Sequence, residues 1–236
     1  MTEHTKRVLS VKNLVNYISS NDIFENKEDV RSITTHTLAQ TAQNFWFSLI
    51  LSENLFDISY CKSNFSFEIE ISDLSTIIYN YDGFIKNAFF LNSFIYLENH
   101  IRQIALKYEN PNNIINVTSI TKTFRNLMNT NKTSLFSSLN ENDFKLFEFY
   151  CFMRNTMHNA GFQTQENQSI EIFDIYSIIN KDRIVIKLSK DSSNDLNFQD
   201  QLLLQEQIIK LIFKINLLIP VNDFIKHRFS DLGFTM

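Results

Sequence analysis

The sequence predicts a mainly α-helical bundle carrying a small antiparallel β-hairpin or sheet, and three observations carry that expectation. Turn-forming residues are scarce: the 236 residues contain three glycines (Gly83, Gly161, Gly233) and two prolines (Pro111, Pro220). An all-β sandwich or barrel needs tight turns at short intervals, and those turns lean on Gly, Pro and Asn-Gly. Apolar residues Phe90, Phe94, Leu97, Ile101, Ile104 and Tyr108 recur every three or four positions, the stripe of an amphipathic helix. Two short β-prone runs, Ile170 to Ile175 and Arg183 to Leu188, flank the polar turn Asn180-Lys181-Asp182.

Along the chain, Val8, Val11, Val15 and Ile18 predict a first helix over Thr5 to Ser19, within an N-terminal arm of residues 1–25. His4 reads as part of a polar tail. A long helix follows from Glu28 to Asp57, with Val30, Ile33, Leu38, Phe45, Leu49 and Leu55 among its apolar positions. Phe65, Phe67, Ile69 and Ile71 alternate strictly with polar residues, which predicts a half-buried strand. Asp82-Gly83 predicts a break before the helix of Phe84 to Tyr108, and Asn110 to Asn113 ends it.

A shorter helix is predicted over Thr121 to Asn129, before a loop from Asn129 to Ser138. Asn142 or Asp143 can cap the next helix, which runs to His158. Most positions from Phe144 to Met153 are apolar, so that helix is expected at the centre of the bundle. Gly161 stops it. The hairpin insertion occupies 168–189, and a last helix from Phe198 to Phe229 is kinked or broken at Pro220. No repeat of solenoid period and no low-complexity linker divides the chain, so residues 1–236 read as one domain.

Hydrophobic residues make up 44% and charged residues 20%, an ordinary globular balance, and 23 phenylalanines supply a large apolar payload. So few glycines leave neither G-x-G-x-x-G nor G-x-x-x-x-G-K-[ST], which excludes Rossmann dehydrogenases and P-loop nucleotidases. There is no H-E-x-x-H, no cysteine pair at zinc spacing and no acidic calcium loop, so no metal and no cofactor is expected. A G-x-S-x-G elbow is absent too.

Cys61 and Cys151 lie far apart in apolar surroundings and read as reduced, buried thiols. The polar N-terminus has no apolar leader core behind it, and Lys214, Asn216 and Pro220 interrupt the most apolar stretch, Leu211 to Val221. These features predict a soluble, cytoplasmic protein with no membrane partner. The net charge of −4 argues against an architectural binder of duplex nucleic acid and leaves room for a local RNA site.

One segment carries chemistry: Arg154-Asn155-Thr156-Met157-His158-Asn159. Arg154 and His158 are four residues apart, so on a helix they share a side, with Phe147, Tyr150 and Cys151 behind them. A histidine titrates near neutral pH and can take a 2′-hydroxyl proton or protonate a leaving oxygen. An arginine presents a planar, permanently charged fork to phosphate oxygens. Together they suit cleavage of RNA by its own 2′-hydroxyl, without a metal.

This Arg-Asn-x-x-His-Asn segment resembles the signature of HEPN domains (higher eukaryotes and prokaryotes nucleotide-binding), here with a shorter Arg-to-His interval than is usual in that family. The resemblance extends loosely to the helical layout, including Glu98, His100 and Arg102 on an acidic-and-basic helix. It implies a homodimer in which two Arg–His pairs form one cleft, with His158 as acid/base, Arg154 as phosphate holder, and Asn155 as a supporting polar group. Asn159, Glu98 and Arg102 are the further candidates. The same resemblance implies a toxin or phage-defence effector, held in check by an inhibitory protein partner.

Other readings stand beside it. His158 in a last helical turn is favoured by the macrodipole, and Asn159 with Gly161 makes an ordinary helix end. Arg154 can pair with an acidic neighbour. Glu98 and Arg102 form an i,i+4 ion pair or orient Arg154 and His158. His100 reads as a surface residue, and His36 has no partner visible in the sequence. Lys226-His227-Arg228, Lys122, Arg125 and Lys132 are basic positions of the kind a solvated face carries. A non-catalytic helical module binding nucleotide, RNA or protein is the alternative function. An assembly protein is the third, and it predicts a large exposed apolar patch away from His158.

Overall fold

The computed structural model describes residues 2–108, 119–129, 134–159, 163, 166–173, 183–192 and 196–227. These residues form α1 (Glu3–Ser20), α2 (Val30–Ser52), a 3-10 turn (Glu53–Phe56), α3 (Ile58–Asn64), α4 (Ile71–Tyr108), α5 (Ile120–Met128), α6 (Glu141–His158), β1 (Gln168–Phe173), β2 (Arg183–Leu188) and α7 (Phe198–Leu218). The mainly helical fold with a two-stranded antiparallel sheet is the one the sequence predicts.

Short polar side chains start the helices by taking up amide donors that have no partner in the first turn. Thr2 caps α1, Asp29 α2, Asp57 α3, Ser119 α5 and Asn197 α7. At α6 the cap is Asn140, and Asp143 closes a capping box with it, so the helix begins earlier than Asn142 or Asp143 as caps would have it.

α1 packs on α2 and α7, α2 on α4, and α4 on α5 and α6; α6 in turn meets α7 and β1. One hydrophobic cluster draws residues from α1, α2, α4, α5, α6, α7 and the inward face of both strands. Phenylalanines fill it: Phe45 stacks on Phe89 at 4.8 Å, and Tyr150 of α6 meets Phe90 and Phe94 of α4 at 4.5 and 5.6 Å. The Tyr150 hydroxyl is buried and donates to Gln205 Oε1 at 2.8 Å, which satisfies a polar group that would otherwise be costly inside. Burial pushes the Tyr150 hydroxyl's pKa well up, so it stays a donor.

The sheet pairs Gln168 with Leu188 and Phe173 with Arg183. Ile172, Ile186 and Leu188 face the core while Glu171, Val185 and Lys187 face out, as period-2 alternation requires. The turn Asn180-Lys181-Asp182 lies outside the described residues, as do Asn110 to Asn113, Lys132, Gly161 and Arg228.

Several expectations are corrected. Phe65 to Ile71 is not a strand: it is the turn from the C-cap of α3 to the first residue of α4, and Phe65, Phe67 and Ile71 are all exposed. Alternation makes a strand only when a neighbour pairs with it, and no described strand lies there. The helix predicted to Asp57 stops at Ser52 and passes into the 3-10 turn. The last helix ends at Leu218, before Pro220 and not beyond it. Residues 3–20 are helical, and His4 is half-buried with its ring 5.5 Å from that of Phe56 rather than in a free tail.

Asp82-Gly83 does not break the chain either, because α4 runs through it for 38 residues. Packing of the flanking apolar turns overrides the local preference. A Cβ at Gly83 would meet nothing within 4 Å. Gly83→Ala is therefore expected to stabilise the fold by about 0.5–1 kcal/mol, raising the thermal midpoint by about 1–4 °C. A thermal melt checks this; a lowered midpoint would mean that the helix needs freedom at that point.

Candidate functional site

Arg154 and His158 occupy the last turns of α6. Phe147, Tyr150 and Cys151 are buried beneath that side of the helix, Arg154 and Asn155 are half-buried, and His158 and Asn159 are exposed. The burial gradient follows from position: the apolar middle of α6 lies among α4, α5 and α7, and its C-terminal end emerges from the bundle.

The Arg154 guanidinium lies over the Phe94 ring of α4, 5.4 Å from its centroid, and its Nη1 donates to Asn155 Oδ1 at 3.1 Å. A ring face attracts a cation and orients the planar fork. Among the described residues Arg154 makes no ion pair, so no acidic neighbour of theirs holds it. His158 likewise makes no side-chain hydrogen bond to a described residue.

One turn beyond Phe94 on α4, Glu98 accepts from Arg102 Nη2 at 2.7 Å and from Nε at 3.0 Å. Both side chains of this i,i+4 pair are about a third exposed, which keeps its contribution to stability small. The charges of Glu98, Glu148, Arg154 and Arg102 all act on the Cys151 thiol, which places α4's pair beside the Arg154 side of α6. Burial raises the Cys151 pKa first of all, with the two carboxylates adding to it, so the thiol is inert.

The structure thus brings Arg154, Asn155, Glu98 and Arg102 into one neighbourhood at the α4–α6 contact, with His158 a turn further along. Asn159 is the C-cap of α6, its amide bonded to the carbonyls of Asn155 and Thr156. What the sequence did not reveal is Phe94, counted only as part of an apolar stripe, and Glu148. No sequence pattern marks a phenylalanine as the rest for a guanidinium on another helix.

A separate groove of about 750 Å³ lies between α6, β1 and α7, lined by Leu146, Phe149, Phe152, Ile170 and Gln207 among others. It faces the opposite side of α6 and contains neither Arg154 nor His158. Among the described residues no group of three or more His, Cys, Asp and Glu side chains is arranged to hold a metal ion, and no helix is long and apolar enough to cross a membrane. Of the other basic candidates, Arg125 is held by Glu141 at 2.6 Å and lies on the Phe144 ring, and His227 is 3.0 Å from Asn99 Nδ2.

His100 is corrected outright. It is fully buried, with Nδ1 3.1 Å from Thr34 Oγ1 and Nε2 2.8 Å from Asn216 Oδ1. Nε2 donates to the amide oxygen that faces it, and the direction of the bond between Nδ1 and the threonine hydroxyl follows the tautomer. Burial is the main cause that lowers its pKa to about 4. Between pH 6.5 and 4 the unfolded chain takes up a proton that the native state refuses, so stability falls as the pH falls through that window. The loss between pH 7.5 and 5 is expected to be about 2 kcal/mol. Urea unfolding at the two pH values checks it: His100→Gln should lose markedly less than the wild type, and equal losses would remove His100 as the cause.

Comparison with protein-family models, with curated proteins and with solved structures finds no match to this chain.

Proposed function

We propose that this chain is a metal-independent endoribonuclease of HEPN type, working as a homodimer. The observation that carries the reading is the state of Arg154: a guanidinium steadied by Phe94 and Asn155, without a described carboxylate on it, one helical turn from an exposed imidazole. A phosphate is the ligand such a fork is shaped for. In this reading His158 takes the 2′-hydroxyl proton, the 2′-oxygen attacks phosphorus, and the 5′-oxygen leaves with a proton from a second acid. The partner protomer's copy of the same imidazole supplies that acid. Arg154 holds the equatorial oxygens as charge builds on them. Glu98 fixes Arg102, so that the helix opposite offers no stray carboxylate to Arg154.

The products expected are a 2′,3′-cyclic phosphate and a free 5′-hydroxyl, and DNA, lacking the 2′-hydroxyl, is left intact. The test is incubation of a mixed cellular RNA pool with the protein in EDTA, beside His158→Ala. Cleavage that survives chelation and disappears in the variant supports the enzyme. A non-catalytic module binding RNA or nucleotide is favoured by one observation, that Phe94 already covers one face of the Arg154 guanidinium. It predicts binding without cleavage by the wild type.

A further inference from the structure

We infer that the end of the bundle formed by 47–84 is a docking face for a basic amphipathic segment of another protein. α2 and α4 run side by side in opposite directions, with Phe45 against Phe89 and the Tyr81 hydroxyl on the Ser48 carbonyl. Past that level α4 continues for another ten residues, 71–80, which is about 15 Å of helix. The 3-10 turn packs on α2, α3 and α4 together, so these pieces share one end of the molecule.

That end is apolar where it meets water. Ten large hydrophobic side chains between 47 and 84 are exposed, among them Phe67 at 80%, Ile71 at 75%, Phe84 at 70%, Tyr79 at 67% and Leu51 at 64%. Seven exposed large hydrophobic side chains lie elsewhere among the described residues, Ile23, Val221 and Phe224 of them around one smaller pocket. Aromatic side chains carry about 150–250 Å² each, so these fractions leave on the order of 1,000 Å² of apolar surface. A stable complex buries about 800 Å² on each partner, so a part of this end is enough for one. Aromatic enrichment is also what the centre of a protein interface shows.

Charge selects the occupant. Residues 47–84 hold six carboxylates and one lysine, Lys62. Asp82 is taken by Arg7, 2.8 Å away, while Glu53, Asp57, Glu68, Glu70 and Asp73 are exposed on the same stretch of chain as the exposed aromatics. A two-fold dimer through this face would set that acidic rim against its own copy. An anionic lipid surface is repelled for the same reason. A helix or strap with apolar residues on one side and lysines or arginines on its borders satisfies both the centre and the rim.

The probe is a fluorescent amphipathic helical peptide of leucine and lysine, beside its leucine–glutamate counterpart with the same apolar face. The full-length protein is expected to bind the lysine peptide at least tenfold more tightly, with affinity falling as salt rises. Phe67→Ser with Phe84→Ser should weaken that binding at least tenfold, and so should Glu68→Lys with Glu70→Lys. Both phenylalanines are mostly in solvent, so the core is untouched and unfolding midpoints should match the wild type. The inference is overturned if the two peptides bind alike, or if the phenylalanine variants bind as the wild type does. It is also overturned if Phe67→Ser dissolves a dimer seen in sedimentation, or abolishes binding to phosphatidylserine vesicles.

Discussion

Arg31→Met is expected to lower the free energy of unfolding by about 3–5 kcal/mol, enough to bring a domain of ordinary stability near its limit. Arg31 is fully buried. Its Nε and Nη2 meet Asp29 at 2.9 and 2.7 Å, and Nη1 donates to the carbonyls of Ile219 and Pro220 at 3.2 and 3.1 Å. Nη2 also reaches the Asp223 carbonyl at 3.1 Å, and the guanidinium lies 4.3 Å from the Phe24 ring centroid. One side chain therefore holds the start of α2, its N-cap carboxylate and the segment that follows α7. The Val30 amide donates to the Ile225 carbonyl at 2.9 Å in the same place.

Methionine fills much of the volume but leaves Asp29 charged, buried and without its counterion, together with the carbonyls that Arg31 bonded. That stranded charge is the larger part of the cost. Adding Asp29→Asn, which keeps the cap, should therefore recover part of the loss. Urea unfolding of the single and double variants decides: a single variant within 1 kcal/mol of the wild type, or a double variant worse than the single, would show that the pair is not what holds this end. Lys107 and Tyr108 both bond Asp223 and hold its carboxyl below the usual range, so the segment has a second anchor that does not depend on Arg31.

How much of this was legible depended on the range of the cause. The stripe from Phe90 to Tyr108 and the apolar run of α6 are local patterns with a helical period, and both are helical to the predicted ends at Tyr108 and His158, although both helices start earlier than the sequence puts them. The β1–β2 pairing was legible for the same reason. Phe65 to Ile71 misled because alternation reports a face without saying whether anything covers it. Asp82-Gly83 misled because the turns on either side of it are held by α2 and the core. His100 and Arg31 were illegible as a buried network: Thr34, Asn216 and Asp223 lie on distant parts of the chain, and only the packing of α2, α4 and α7 assembles them. At the candidate site, the i to i+4 relation of Arg154 and His158 needed only a helix. The rest of Arg154's environment needed α4 to be in place.

His158→Ala is expected to reduce RNA cleavage by about 10²–10⁴-fold while leaving the unfolding midpoint where it was. The second half of that statement follows from the exposure of the imidazole and its lack of a described hydrogen-bond partner. Arg154→Ala should cost a similar factor, and Arg154→Lys should recover only a part of it. Lysine keeps the charge but loses the planar fork, and its ammonium is a poorer match to the Phe94 face and to two phosphate oxygens at once. The order wild type, then lysine, then alanine at 154 separates phosphate holding from mere attraction, for which lysine would equal arginine. Rates measured on a short RNA with chelator present, beside the matching DNA, provide the comparison. Full activity in His158→Ala would remove this histidine from the chemistry. Unimpaired RNA binding by a wild type that never cuts would leave Arg154 as part of a binding face, with Phe94 as its support.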